Sequence, residues 1–133
     1  MKIVNYLIDI EGIDKTGKDL LTYYINQLSN YKYVVHPRGI LSNMVYAEKY
    51  NRDYDYMLSH RPIVVYLDSD EDDREIRCKL TNEPYIDANA DRKLFEKYIK
   101  ILESDGIIVL RFNTTYETPY TIAKRILNFI ENM

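Results

Sequence analysis

Two rhythms of apolar positions alternate along this chain. Residues 3–10, IVNYLIDI, are a nearly continuous apolar and β-branched run, the pattern of a strand covered on both faces. Residues 12–18, GIDKTGK, break that run and read as a loop. Over 18–29, Leu20, Leu21, Tyr24, Ile25 and Leu28 recur at helical spacing, so a helix follows directly. Residues 31–36, YKYVVH, predict a second strand, ended by Pro37, which lacks a ladder donor. A helix is expected from Leu41 to Asn51, with Leu41, Met44, Val45 and Tyr46 on its apolar side. After the polar, turn-rich segment NRDYDYMLSHRP, residues 62–67, PIVVYL, predict a third buried strand.

The same alternation fills the second half. Residues 69–80 open with SDEDD; acids suit the positive end of a helix dipole, and Ile76 and Leu80 offer a thin apolar stripe. A loop at 81–87 leads to a helix over 89–103, with Leu94, Tyr98, Ile101 and Leu102 on one face, stopped by Asp105-Gly106. Residues 107–112, IIVLRF, predict a fourth strand and 113–118, NTTYET, a loop. The last helix is expected over 119–131, with Pro119 in its first turn and Ile122, Ala123, Ile126, Leu127 and Ile130 inward. Strand–helix alternation of this kind predicts an α/β fold: a parallel sheet with helices on both faces. No linker, repeat or low-complexity tract interrupts it, so residues 1–133 read as one domain.

Composition narrows the function classes. A chain of 133 residues can bury roughly two thirds of its unfolded surface, so neither disulfides nor a structural metal are needed for folding. A net charge of −3 argues against a nucleic-acid surface. The lone cysteine, Cys78, excludes an internal disulfide and fits a reducing, cytoplasmic compartment. No run approaches the roughly 20 apolar residues of a membrane span, and the first ten residues read as a strand rather than a signal peptide. Fourteen tyrosines include Tyr46, Tyr50, Tyr54 and Tyr56, which are expected to line a pocket, cover a sheet edge or meet a partner. His36 ends a strand beside the glycine loop, and His60 reads as a surface loop residue.

The chemistry concentrates in residues 12–18. Gly12-Ile13-Asp14-Lys15-Thr16-Gly17-Lys18 matches G-x-x-x-x-G-K between a buried strand and a helix. Such a loop turns backbone N–H groups toward a phosphate, the helix start adds partial positive charge, and Lys18 adds a full one. The alternative is a glycine-rich turn without a ligand. The residue after Lys18 is Asp19 in place of the Ser or Thr that binds Mg²⁺ in such loops. A carboxylate supplies hard oxygen to Mg²⁺; without a metal it opposes phosphate charge by roughly 3 kcal/mol per pair at ~5 Å and an effective dielectric of ~20. Capping the helix is the other reading of Asp19. Asp68 and Asp9, at strand ends, are candidates for holding Mg²⁺ or capping a turn.

Beyond the loop itself, the sequence resembles the thymidylate kinase and deoxynucleoside kinase family of P-loop kinases. Three runs carry the resemblance: Glu11-Gly12-Ile13-Asp14-Lys15-Thr16-Gly17-Lys18, Arg38 followed by Ser42 and Tyr46, and Tyr66-Leu67-Asp68-Ser69-Asp70-Glu71 leading into Arg74, Arg77 and Lys79. The resemblance implies a three-layer P-loop kinase-like domain with a sheet reduced to about four strands, because only Asn26 to Lys32 stand where the family has a further strand and helix. It implies ATP and Mg²⁺ as cofactors and a deoxynucleoside or its monophosphate as acceptor. Catalysis would fall to Lys15, Lys18, Arg38 and Arg77, and nucleotide binding to Gly12, Asp14, Thr16, Gly17, Lys18, Asp19 and Asn113. Asp14, Arg38, Ser42 and Tyr46 would place the acceptor, and Asp19 and Asp68 would hold the metal. Arg74 and Lys79 read as solvated helix charges. Pro37 replaces the family's Asp before Arg38. With Asp19 and the missing segment, that substitution supports the alternative: a catalytically inactive relative acting as a protein-binding or regulatory module, alone or as a homodimer.

Overall fold

The computed structural model describes residues 7–54 and 61–133. Its elements are β1 (Leu7–Gly12), α1 (Lys18–Ser29), β2 (Val34–His36), α2 (Ile40–Lys49), β3 (Ile63–Asp68), α3 (Glu71–Leu80), α4 (Asn89–Ser104), β4 (Val109–Asn113) and α5 (Pro119–Glu131). The four strands are all parallel, in the order β2-β1-β3-β4. Ile8 lies level with Val35 on one side and Ile63 on the other, and Gly12 with Leu67.

The pleat divides the core into two layers. Ile8 and Ile10 of β1, with Ile63, Val65 and Leu67 of β3, face α1 and α5 and pack on Leu21, Ile25, Ile122, Ala123 and Ile126. Val64 and Tyr66 face the opposite way, onto Leu41 and Val45 of α2 and Phe95, Ile99 and Leu102 of α4. Between and after these isoleucines β1 carries acids. Asp9 and Glu11 are buried on the α2 face, so β1 is an alternating strand, not the continuous apolar run read from its sequence.

The layers match the predicted ones; several faces shift. The start of the predicted first strand, residues 3–6, lies outside the described residues, and the strand extends past Ile10 to Gly12. Asp9 is therefore inside the strand and does not end it. β2 is three residues, not six, because Asn30 and Tyr31 both hold positive φ and prolong the turn after α1. On α1, Leu21 and Ile25 are buried while Leu20 and Leu28 are exposed. On α4 the inward residues are Phe95, Ile99 and Leu102; Ile101 faces out. The inward face of α5 is the predicted one throughout.

The largest correction concerns α3. Its supposed stripe, Ile76 and Leu80, is exposed, and the residues it buries are Arg74 and Cys78. This helix sits beyond the carboxyl ends of the strands, where its inner side meets loop carbonyls, and a guanidinium satisfies those groups as an alkyl side chain cannot. Tyr46 of α2 stacks on the exposed Tyr50 and meets Phe95 of α4 edge-on, so it packs at the α2–α4 seam. Tyr56 and His60 lie outside the described residues. No helix among the described residues is long and apolar enough to cross a membrane.

Candidate functional site

β1 and β3 are neighbours whose onward connections run to opposite sides, β1 through α1 to β2 and β3 through α3 and α4 to β4. In open parallel sheets the crevice for a ligand forms at such a point, beyond the carboxyl ends of the strands. The 12–18 loop stands there. Gly12 has φ 134° and lies against β3; a Cβ would come within 2.0 Å of the Leu67 carbonyl oxygen. Gly17 has φ 91° and is the N-cap of α1, without a side-chain cap bond. The turn between them is closed internally: Ile13 N–H donates to Leu67 O at 3.3 Å, and the buried Thr16 hydroxyl donates to Ile13 O at 2.7 Å.

This loop opens on a cavity of about 780 Å³. Asp14, Lys15, Thr16, Gly17, Lys18 and Asp19 form one wall, Pro37 and Arg38 another, and Leu20 and Glu83 complete it. Three cations and three carboxylates thus share the lining. Lys15, at φ 65°, ion-pairs with Glu83 at 2.5 Å. Arg38 reaches Asp14 at 3.5 Å. Lys18 donates to the Gly12 and Ile13 carbonyls at 3.0 and 2.9 Å, and burial pushes its ammonium below the ordinary lysine value, with Asp14 acting the other way.

The structure therefore brings together Gly12, Asp14, Lys15, Thr16, Gly17, Lys18, Asp19 and Arg38. It gives five of the expected residues other positions. Ser42 is buried, and its hydroxyl donates to Glu11 at 2.6 Å; it anchors the start of α2 and is not presented to the cavity. Asp68 is held by Arg92, whose Nε lies 3.0 and 2.9 Å from its two oxygens. Arg77 does not line the cavity: it donates to the Lys15 carbonyl at 2.7 Å and to Thr114, and pairs with Asp73. Asn113 ends β4, donates to Asp70 at 3.1 Å and accepts from Thr115 N–H. Tyr46 does not line the cavity and packs on Tyr50 and Phe95; burial first, and then the charge of Asp14, raises its phenol above the ordinary value. Capping by Asp19 is not seen: the side chain is exposed in the first turn of α1 and lines the cavity.

Sequence reasoning did not assign five residues the roles that the structure gives them. Glu11 accepts Gly39 N–H and Ser42 N–H, each at 2.9 Å, besides the Ser42 hydroxyl. Asp9 does the same for Ile40 N–H and faces His36 Nδ1 at 3.2 Å. Two carboxylates of β1 thus satisfy the orphan donors at the start of α2. Their period-2 spacing in IDIEG was the available signal. Arg74, read as a solvated charge, is buried and donates from Nε to the Asp14 carbonyl at 3.0 Å. Arg92 and Glu83 meet partners distant in sequence, and no local pattern marks them.

Hard-oxygen donors for Mg²⁺ are present at the loop, where Asp19 sits on the cavity wall. Asp68 does not fit that role, with both oxygens on a guanidinium. No group of three or more metal-type side chains occurs among the described residues. A Mg²⁺ carried by phosphate needs only one or two protein carboxylates, which Asp19 can supply.

The fold and loop define a small three-layer α/β protein with a parallel sheet and a cationic glycine loop at its switch point. No family model matches the chain. It is 26% identical over 129 residues to the SPbeta prophage-derived uncharacterized protein YorR of Bacillus subtilis (strain 168), covering 88% of this chain and 77% of that protein. Among solved structures it is similar to the crystal structure of the YorR protein from Bacillus subtilis in complex with phosphorylated GDP. The TM-score is 0.72 at 21% sequence identity, over 94% of this chain and 95% of that one. At that identity the likeness establishes the shared fold.

Proposed function

We propose that the chain binds a nucleoside phosphate at the 12–18 loop and transfers a phosphoryl group from ATP to a deoxynucleoside or its monophosphate. The observation that carries this reading is the loop's own geometry: a glycine turn between β1 and α1, opening on a cavity with Lys15, Lys18 and Arg38 on its walls. The complex of YorR with phosphorylated GDP supports a nucleotide as the ligand class. In this reading Lys18 and the loop amides hold the donor phosphates. Lys15 and Arg38 neutralise charge as it moves between oxygens, and Asp14, beside Arg38, accepts a hydrogen bond from the acceptor sugar. Asp19 holds Mg²⁺, which supplies countercharge to the phosphates when bound. Ser42, through Glu11, sets where α2 presents Arg38.

The test is calorimetric titration with ATP, with and without Mg²⁺, of the parent, Lys18→Ala and Asp19→Thr. It is followed by ADP release against a panel of deoxynucleosides and nucleoside monophosphates, guanine forms included. Binding that Lys18→Ala abolishes, with acceptor-dependent ADP release, is the expected result. A parent that binds no nucleotide rejects the proposal. The balance of three carboxylates against three cations in the cavity favours a second reading, a non-catalytic relative that serves as a protein-binding module. Nucleotide binding without turnover on any acceptor selects it.

A further inference from the structure

We propose that Arg74 and Arg77 of α3 are positioning residues for the 12–18 loop, holding two successive main-chain carbonyls outward so that the loop amides face the cavity. This rests on the reading of that loop as an anion site.

The argument begins with the peptide bond. In a planar trans peptide the C=O of one residue and the N–H of the next point in opposite directions. Arg74 Nε holds Asp14 O at 3.0 Å, and Arg77 holds Lys15 O at 2.7 Å. Each bond fixes a carbonyl toward α3 and thereby turns the N–H of Lys15 and of Thr16 away from it; both residues line the cavity, to which no residue of α3 contributes. Among the described residues no acceptor meets the main-chain N–H of Asp14, Lys15, Thr16 or Gly17.

Both arginines are themselves held. Arg74 is 4% exposed, paired through one nitrogen with both oxygens of Glu71 and bonded to Ile86 O. Glu71 also pairs with Arg92 at 2.5 Å, and Arg92 grips Asp68 at the end of β3. Arg77 is fixed by Asp73 at 2.7 Å and by the hydroxyl and carbonyl of Thr114 in the β4–α5 loop, each at 3.1 Å. The chain of charges thus runs from the sheet through α4 and α3 to the loop. It explains why α3 buries a guanidinium and exposes its isoleucine. It also accounts for Lys15, a non-glycine residue at φ 65°, a conformation that persists only where the surroundings impose it. Arg77 on its carbonyl and Glu83 on its ammonium impose it here.

The test uses Arg77→Met, whose site is part exposed, with Arg77→Lys as the conservative variant and Arg74→Met as a second removal. Backbone ¹⁵N relaxation of the ligand-free protein is the first readout. The Lys15 and Thr16 amides are expected to fall from rigid order parameters of about 0.85 to below about 0.6 in Arg77→Met, with β3 amides unchanged. Arg77→Lys, which keeps one donor for the Lys15 carbonyl, is expected to recover part of the order. The second readout is affinity for inorganic pyrophosphate and for ATP, expected to fall by about tenfold in Arg77→Met, or 1.4 kcal/mol. Unchanged loop order overturns the inference. So does lost order with unchanged affinity in a parent that binds. A parent that binds neither probe removes the anion-site reading, and the relaxation data still decide whether the arginines set the loop.

Discussion

The carboxylate of Glu11, on β1, accepts the hydroxyl hydrogen of Ser42, on α2, at 2.6 Å, inside a layer where both residues are buried. That bond ties the strand that launches the glycine loop to the helix whose start carries Arg38, so the two walls of the cavity are set by one buried acid. Burial raises the Glu11 pKa above the ordinary value of 4.5, although Ser42 and two main-chain N–H groups act to lower it.

Glu11 makes stability depend on pH with a definite sign. From 4.5 up to its raised native value, the folded chain keeps a proton that the unfolded chain has released. Stability therefore falls as pH rises through that window, because the native state binds more protons there. Urea unfolding from about pH 4 to pH 8 is expected to show this fall, and Glu11→Gln to flatten it. Glu11→Ala strands the Gly39 and Ser42 N–H groups, at a cost of about 1–3 kcal/mol each.

The two glycines of the loop differ in what a methyl group would meet. At Gly12 a Cβ runs into the Leu67 carbonyl at 2.0 Å, whereas at Gly17 the nearest atom is Pro119 Cγ at 3.3 Å. Gly12→Ala is expected to cost upwards of about 4 kcal/mol or to prevent folding. Gly17→Ala is expected to cost about 1–2 kcal/mol, mainly from its left-handed backbone. Thermal denaturation of both variants separates the two.

Tyr66 carries a hydroxyl that is buried against α4 with no hydrogen-bond partner among the described residues. Burial, followed by the charge of Asp68, pushes its phenol well above the ordinary value. Tyr66→Phe removes an unsatisfied donor without changing the packing on Phe95 and is expected to stabilise the protein by about 1 kcal/mol. A urea midpoint that does not rise contradicts this.

Lys18 should give anion binding its own pH profile. Its ammonium is held below the ordinary 10.5 by burial. An anion favours the protonated form, so affinity falls as pH rises through the lowered value, by up to about tenfold per pH unit. Calorimetric titration with ATP at increasing alkaline pH measures the slope, and Lys18→Met is expected to lose both the slope and most of the affinity.

Much of the fold is written locally. The alternation of β-branched runs with helical spacing determines the four strands and five helices among the described residues and their parallel arrangement, because pleat and helix periods are properties of neighbouring residues. The loop is legible for the same reason: Gly12, Gly17 and Lys18 act through main chain and spacing within seven residues. What the pattern does not contain is the partner of each polar side chain. Ser42 and Asp68 have the right types at the right intervals for a site, yet Glu11 and Arg92 claim them from 31 and 24 residues away. Arg74 and Ile76 exchange their expected places because α3 lies over loop carbonyls instead of a sheet face, and burial there rewards donors over methyl groups. The chain's order places a charged group on an element; only close packing of distant segments chooses whether that group meets a ligand or holds the wall behind it.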